Sequence, residues 1–147
     1  MYKYKTILTL LLLSISLVAS EPKVKTGEFP AEEMKKQNIE IAKLVAQEIS
    51  ETLPHIIDSY TTMTDIRNDD TTLVYTFEIN TGVKSDETVR NEDKSRMKQA
   101  VTNGVCQSSS KFLAAGINTS YIYISAKTKA NLFRFDITQK DCPIVID

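Results

Sequence analysis

Tryptophan is absent from the 147 residues, histidine occurs once, cysteine twice, and glycine and proline four times each. So little glycine and proline excludes a collagen-like chain or a low-complexity linker, and two cysteines are too few for a disulfide-dense scaffold. Neither charge sign dominates, with 18 basic against 19 acidic residues. Without a basic surplus there is nothing to neutralise a phosphate backbone, so nucleic acid is not an expected partner. What remains is ordinary: 41% hydrophobic and 25% charged residues, in a length that suits one domain around one core.

The first twenty residues, MYKYKTILTLLLLSISLVAS, depart from that average. Lys3 and Lys5 precede an uncharged, mostly apolar run from Thr6 to Val18, and small residues follow at Ala19 and Ser20. This order predicts a secretory signal peptide over residues 1–20. The apolar run is about a dozen residues, against the roughly 20 a membrane-spanning helix needs. Val18 and Ser20 suit a cut after Ser20, and a cut after Ala19 is almost as good. The competing reading is an uncleaved N-terminal anchor. No cysteine stands at the exit to take a lipid, and no second long apolar run follows, so the mature chain is not expected to be an integral membrane protein. Cleavage leaves residues 21–147, with 16 basic against 19 acidic side chains and a formal charge of −3.

Export changes how Cys106 and Cys142 are read. An even cysteine count in an oxidising compartment predicts a structural disulfide, and two cysteines allow one pairing. Closing a loop of that length stabilises a fold by about 3–4 kcal/mol on the chain-entropy model. A redox or nucleophilic thiol would need a neighbouring cation or imidazole. The only imidazole, His55, is about fifty residues away in sequence, and there is no CxxC pair.

Residues 21–30 lack apolar periodicity and predict a flexible mature N-terminus. Pro30, Glu32 and Glu33 then mark a helix start. Met34, Ile41, Leu44, Val45, Ile49 and Leu53 form an apolar stripe, with Ala42 and Ala46 beside it and Pro54 as the stop. The spacing predicts an amphipathic helix of about 20 residues. Residues 56–67 read as a strand with blurred alternation near a sheet edge. After Asn68-Asp69-Asp70, Leu73, Tyr75, Phe77 and Ile79 alternate with polar or smaller residues, completing a hairpin. Ser85, Asp86 and Glu87 begin a second helical region, read as one bent helix or two, with breaks expected near Asn103-Gly104 and a shorter helix ending at Gly116. A second hairpin follows, over residues 117–126 and 132–138, with Tyr121 and Tyr123 on one face and Phe133, Phe135 and Ile137 inward. The first of its strands has apolar residues on both sides and suits cover on both. The predicted fold is α+β in the order α-β-β-α-β-β, a four-stranded antiparallel sheet with helices packed on one face, in a single domain over residues 31–147.

Groups that could carry chemistry are sparse. A hydrolytic triad would have to use His55, with Asp58 to orient it and a hydroxyl such as that of Ser59, but sequence neighbours are not geometric neighbours and a surface histidine at a helix end explains it. One histidine and two paired cysteines cannot make a zinc site, and Asn68-Asp69-Asp70 lacks the spacing of a calcium loop. Asp86, Glu87, Glu92 and Asp93 read as a solvated helix face. Lys94, Arg96, Lys98 and Lys111 are a basic scatter diluted by acids. Tyr121, Tyr123, Phe133 and Phe135 could stack bases only if exposed, and their alternation makes them core. Asn118-Thr119-Ser120 is a glycosylation triplet read as chance. No catalytic residue, metal or cofactor is expected.

The ordering Leu53-Pro54, Asp58, Thr61-Thr62, Leu73-Val74-Tyr75, Cys106, Gly116, Tyr121-Ile122-Tyr123 and Asp141-Cys142 resembles small exported, disulfide-bonded bacterial proteins of unknown function. The resemblance implies a periplasmic or secreted, non-enzymatic domain and carries over no site residues. The expectation is therefore a non-catalytic interaction domain whose partner is another protein, such as an accessory of an envelope or secretion assembly, or an inhibitor or immunity protein. The alternatives are a small hydrolase using His55 and a small-ligand or lipid carrier with an apolar cavity of some hundreds of Å3.

Overall fold

A computed structural model describes residues 30–143. The predicted signal peptide (1–20) and the predicted flexible segment, Pro30 apart, lie outside the described residues. The first helix, α1 (Ala31–Ser50), has its expected length. Its buried line differs from the predicted stripe: Asn38, Ala42 and Ala46 are the buried residues, whereas Met34 and Leu44 are exposed. The small alanines let the helix lie close on Ile66, Leu73 and Ile117, and Ile41, Val45, Ile49 and Leu53 fill the flanks.

The predicted strand over residues 56–67 is two strands. A two-residue edge strand, β1 (His55–Ile56), turns back into β2 (Thr61–Asp69), with His55 opposite Met63. The turn between them is built by Asp58, whose Oδ1 accepts the amides of Tyr60 and Thr61, both at 2.8 Å. A bulge between Met63 and Asp65 then resets β2 against β3 (Thr72–Ile79), so that Met63 opposes Phe77 and Ile66 opposes Tyr75. That extra residue puts Met63 and Ile66 on one face although they are three apart, which is why the alternation looks blurred. Asp70 takes a positive φ of 53° at the β2–β3 turn, a conformation Asp tolerates.

The second helical region is three helices rather than one or two: α2 (Asp86–Asn91), α3 (Ser95–Ser108) and α4 (Ser110–Ala114). Ser85 caps α2 by accepting the Thr88 amide. The break before α3 is held from both sides. Lys94 donates its amine to the carbonyls of Val89, Arg90 and Glu92, and the Asp93 carboxylate accepts from the amide and hydroxyl of Ser95. Gly104 lies inside α3 and does not break it. Gly116, at φ 89°, turns the chain from α4 into β4 (Asn118–Ser125). β5 (Asn131–Ile137) and a 3-10 turn (Gln139–Asp141) follow.

The sheet has five strands in the order β1-β2-β3-β4-β5, not four, and it is mixed. β3 and β4 run parallel, from Thr72 opposite Asn118 to Ile79 opposite Ser125. This corrects the expected antiparallel sheet. Two antiparallel hairpins leave their mutual direction open, and the helical connection from β3 to β4 returns the chain to the end where β3 began. The neighbours must then run the same way.

Leu73, Tyr75 and Phe77 share a face with Tyr121, Tyr123, Phe133, Phe135 and Ile137, and all the helical packing falls on it. Met97 and Val101 of α3 join the Phe77–Tyr123–Phe135 cluster, and Val105 and Leu113 pack on Ile137. Cys106 and Cys142 are disulfide-bonded (S–S 2.00 Å), fastening α3 to the segment after β5. On the opposite face Ile122 and Ile124 are only half-buried, among Thr76, Glu78, Arg134 and Asp136, so β4 lacks the second cover expected for it. No helix among the described residues is long and apolar enough to cross a membrane.

Candidate functional site

His55 sits exposed on the edge strand β1. Asp58 turns its Oδ1 to the amides of its own turn, and no hydrogen bond joins its carboxylate to His55. Of the other acidic candidates, Glu87 lies exposed in the first turn of α2 and the rest are engaged. Asp86 accepts the Thr128 hydroxyl, Glu92 bridges Lys84 at 2.6 Å, Asp93 caps α3, and Asp70 bridges Lys35 of α1 at 2.8 Å. Among the described residues no group of three or more His, Cys, Asp or Glu is placed to hold a metal. Of the basic scatter, Lys94 caps α2 and lies 5.0 Å from the centre of the Phe133 ring. The Asn118-Thr119-Ser120 triplet is built into β4, with Thr119 and Ser120 buried and the Ser120 hydroxyl donated to Asp136 at 2.7 Å.

The feature that stands out is a recess where α3 diverges from the β1–β2 turn. Tyr75, Phe77, Tyr121 and Tyr123, brought side by side by the parallel β3–β4 register, form its floor. Their ring centroids are 5.0–5.1 Å apart along the path Tyr75–Tyr121–Phe77–Tyr123. Met63, Met97 and Val101 make the sides, Ile57, Asp58 and Thr61 the mouth, and the volume is about 340 Å3. A second recess of about 310 Å3 shares Thr61 and Met97 with the first and runs on past Tyr60 and Ile79 to Lys84 and Glu92. The two adjoin at Thr61 and Met97 and are together called the groove.

Burial pushes the Tyr75 and Tyr123 phenols up to about 12, with Tyr121 adding to both and Asp58 to Tyr123, and burial raises Tyr121 as well. The amide of Tyr60, together with the hydroxyl and amide of Thr61, holds the Asp58 carboxyl below the usual range against a smaller opposing effect of burial. One fixed negative charge thus stands at the lip of an uncharged aromatic floor. Beside that lip the apolar side chains of Ile57 and Tyr60 (70% exposed) project into solvent, and the fully exposed Val83 stands on the loop after β3, whereas Ile56, paired with Thr62, belongs to the other face of the sheet. The Asn80 amide bonds to the Tyr60 carbonyl at 2.8 Å, so the two loops carrying them are tied together.

The aromatic residues are where their alternation puts them: Tyr123 and Phe135 are buried, Tyr121 and Phe133 half-buried. The exposed rim escapes a sequence reading that runs 56–67 as one strand. The signal for it is Asp58-Ser59, a turn-forming pair inside the apolar run. A larger cleft of about 760 Å3 lies at the start of α1, between Met34, Asn38, Thr71 and Gly116, and is spanned by the Lys35–Asp70 pair.

Three comparisons bear on this geometry. The model of a family described as Domain of unknown function (DUF8479) matches residues 35–133. No curated protein matches the sequence. Among solved structures, a candidate secreted protein from Pseudomonas aeruginosa shares the fold with a TM-score of 0.66 at 16% identity, over 80% of this chain and 100% of its own. EpsS, the pilotin of the Vibrio vulnificus type 2 secretion system, gives 0.63 at 14% identity over 77% and 98%. AspS, a type II secretion system pilotin from Vibrio cholerae, gives 0.59 at 15% over 76% and 97%.

Proposed function

The chain belongs to the DUF8479 family, and on that premise we propose that it is an exported, non-catalytic interaction domain serving as an accessory of an envelope secretion assembly. The groove between α3 and the β1–β2 turn is where it takes hold of its protein partner. The observation that carries this reading is the combination of an aromatic floor with an apolar rim left in solvent. Exposed large apolar side chains beside a concave site mark an interaction surface rather than random exposure. Aromatic and methionine side chains are the types that supply most interface energy.

Three further points support it. Residues 1–20 have the form of a signal peptide, removed to leave one α+β domain after residue 30. The Cys106–Cys142 disulfide suits an oxidising compartment such as the periplasm. The fold is one that two secretion-system pilotins also use, which favours a secretion accessory over an inhibitor or immunity protein. The hydrolase alternative loses its footing because no carboxylate is hydrogen-bonded to His55 on the exposed edge strand.

The test is site-specific photocrosslinking in the cells that make the protein. A photoreactive residue at Tyr60 or Ile57 is expected to trap one envelope protein, and the same residue at Thr76, on the helix-free face, to trap none. Absence of a crosslink at the groove, or equal trapping from both faces, would overturn the proposal.

A further inference from the structure

The charge around the groove narrows what can enter it. Its lining carries Asp58, Glu92 and Lys84, and the Lys84–Glu92 bridge at 2.6 Å cancels two of them. Asp58 is left, with its carboxylate fixed in place by two backbone amides. The neighbouring loop leads from the exposed Val83 directly into Asp86 and Glu87 in the first turn of α2. Of the basic groups nearby, Lys94 is engaged with the carbonyls ending α2, and the exposed Arg96, next to Met97, is not part of the lining. An apolar trough therefore ends in net negative charge with no free cation of its own in the lining.

Resting on the reading of this groove as the docking site, we infer that its occupant is an apolar segment of a partner protein bearing lysine or arginine. The apolar side chains lie on Tyr75, Phe77, Tyr121 and Tyr123, and the cation meets Asp58. Complementary charge of this kind sets orientation and rejects the wrong partner more than it adds raw affinity. An anionic bilayer is the other surface that exposed Ile57, Tyr60 and Val83 would suit. The same carboxylates repel it, because juxtamembrane attraction depends on Lys and Arg.

Two short synthetic peptides with identical apolar residues, one flanked by lysines and one by glutamates, test this directly. Binding to the intact, oxidised protein is followed by fluorescence anisotropy and by the methyl NMR signals of Met63 and Met97. The lysine peptide is expected to bind roughly tenfold more tightly than the glutamate peptide, with the preference shrinking as salt rises. Asp58→Asn keeps an oxygen for the turn amides but removes the charge, and should abolish most of the preference while leaving the methyl shifts in place. Equal binding of the two peptides at the groove overturns the charge selection while leaving the docking function standing. No binding of either peptide overturns both. Tighter association with vesicles containing phosphatidylserine than with the lysine peptide replaces a protein segment with a membrane as the occupant and overturns the inference.

Discussion

Asn38 is a buried polar side chain in the middle of α1, and its Nδ2 donates to the Ala115 carbonyl at 2.6 Å. That bond pins the helix to the turn between α4 and β4, where Gly116 comes close enough that a Cβ would lie 3.8 Å from the same nitrogen. Asn38→Ala should destabilise the fold by about 0.5–1.5 kcal/mol, because the helix loses its bond to this turn while the exposed Ala115 can turn its carbonyl to water. A lower urea midpoint with an unchanged slope would show it, and an unmoved midpoint would refute it. The tyrosines give a pH signature of definite sign. Tyr75 and Tyr123 ionise near 12 in the folded protein, against 10.0 for a free phenol. The unfolded chain therefore loses those protons first. Stability is complete below pH 10 and falls as pH climbs from 10 towards 12. Phenolate absorbance should rise with unfolding rather than before it, and early ionisation in the intact fold would contradict the burial. Neither Asn38 nor the contact made by Ala42 is legible in the sequence. A helical asparagine reads as solvent-facing, and a periodicity argument weights large side chains, whereas close helix–sheet approach selects small ones.

At the scale of elements, legibility follows local regularity. α1, β3 and β5 have clean periods and appear within a residue or two of where the sequence puts them. β1 and β2 blur into one strand because the Asp58 turn and the bulge after Met63 each break the alternation over a single residue. The α2–α3 break is hidden for a related reason: it is made by Asp93 and Lys94, residues whose charge reads as helix surface. The disulfide joins elements that are otherwise held by few neighbours, α3 and the turn after β5, with Val105, Leu113 and Ile137 between them. Replacing both cysteines by serine should cost about 3–4 kcal/mol, as expected for opening a loop of 36 residues. Added reductant should lower the wild-type melting temperature to about that of the double variant and leave the double variant unchanged. A reductant-insensitive wild type would mean that packing alone holds this corner.

For the whole molecule, the expected layout was right about helices gathered on one face and wrong about how the hairpins meet. Direction of pairing between β3 and β4 is a long-range property, set by where three helices deliver the chain, and no period within either strand encodes it. It also builds the groove, since only the parallel register puts Tyr75 opposite Tyr121 and Phe77 opposite Tyr123. Two strands paired on both sides should be the slowest part of the structure to open, because their amides are released only when the sheet comes apart. Hydrogen exchange in β3 and β4 should therefore approach the global unfolding free energy. His55 and Ile56, bonded along one side of a two-residue edge strand, should exchange orders of magnitude faster. Cross-strand nuclear Overhauser contacts distinguish the directions: Thr72 should lie near Asn118 and Ile79 near Ser125. If Thr72 instead met Ser125, the sheet would be antiparallel at its centre, and the aromatic floor with its docking role would go with it.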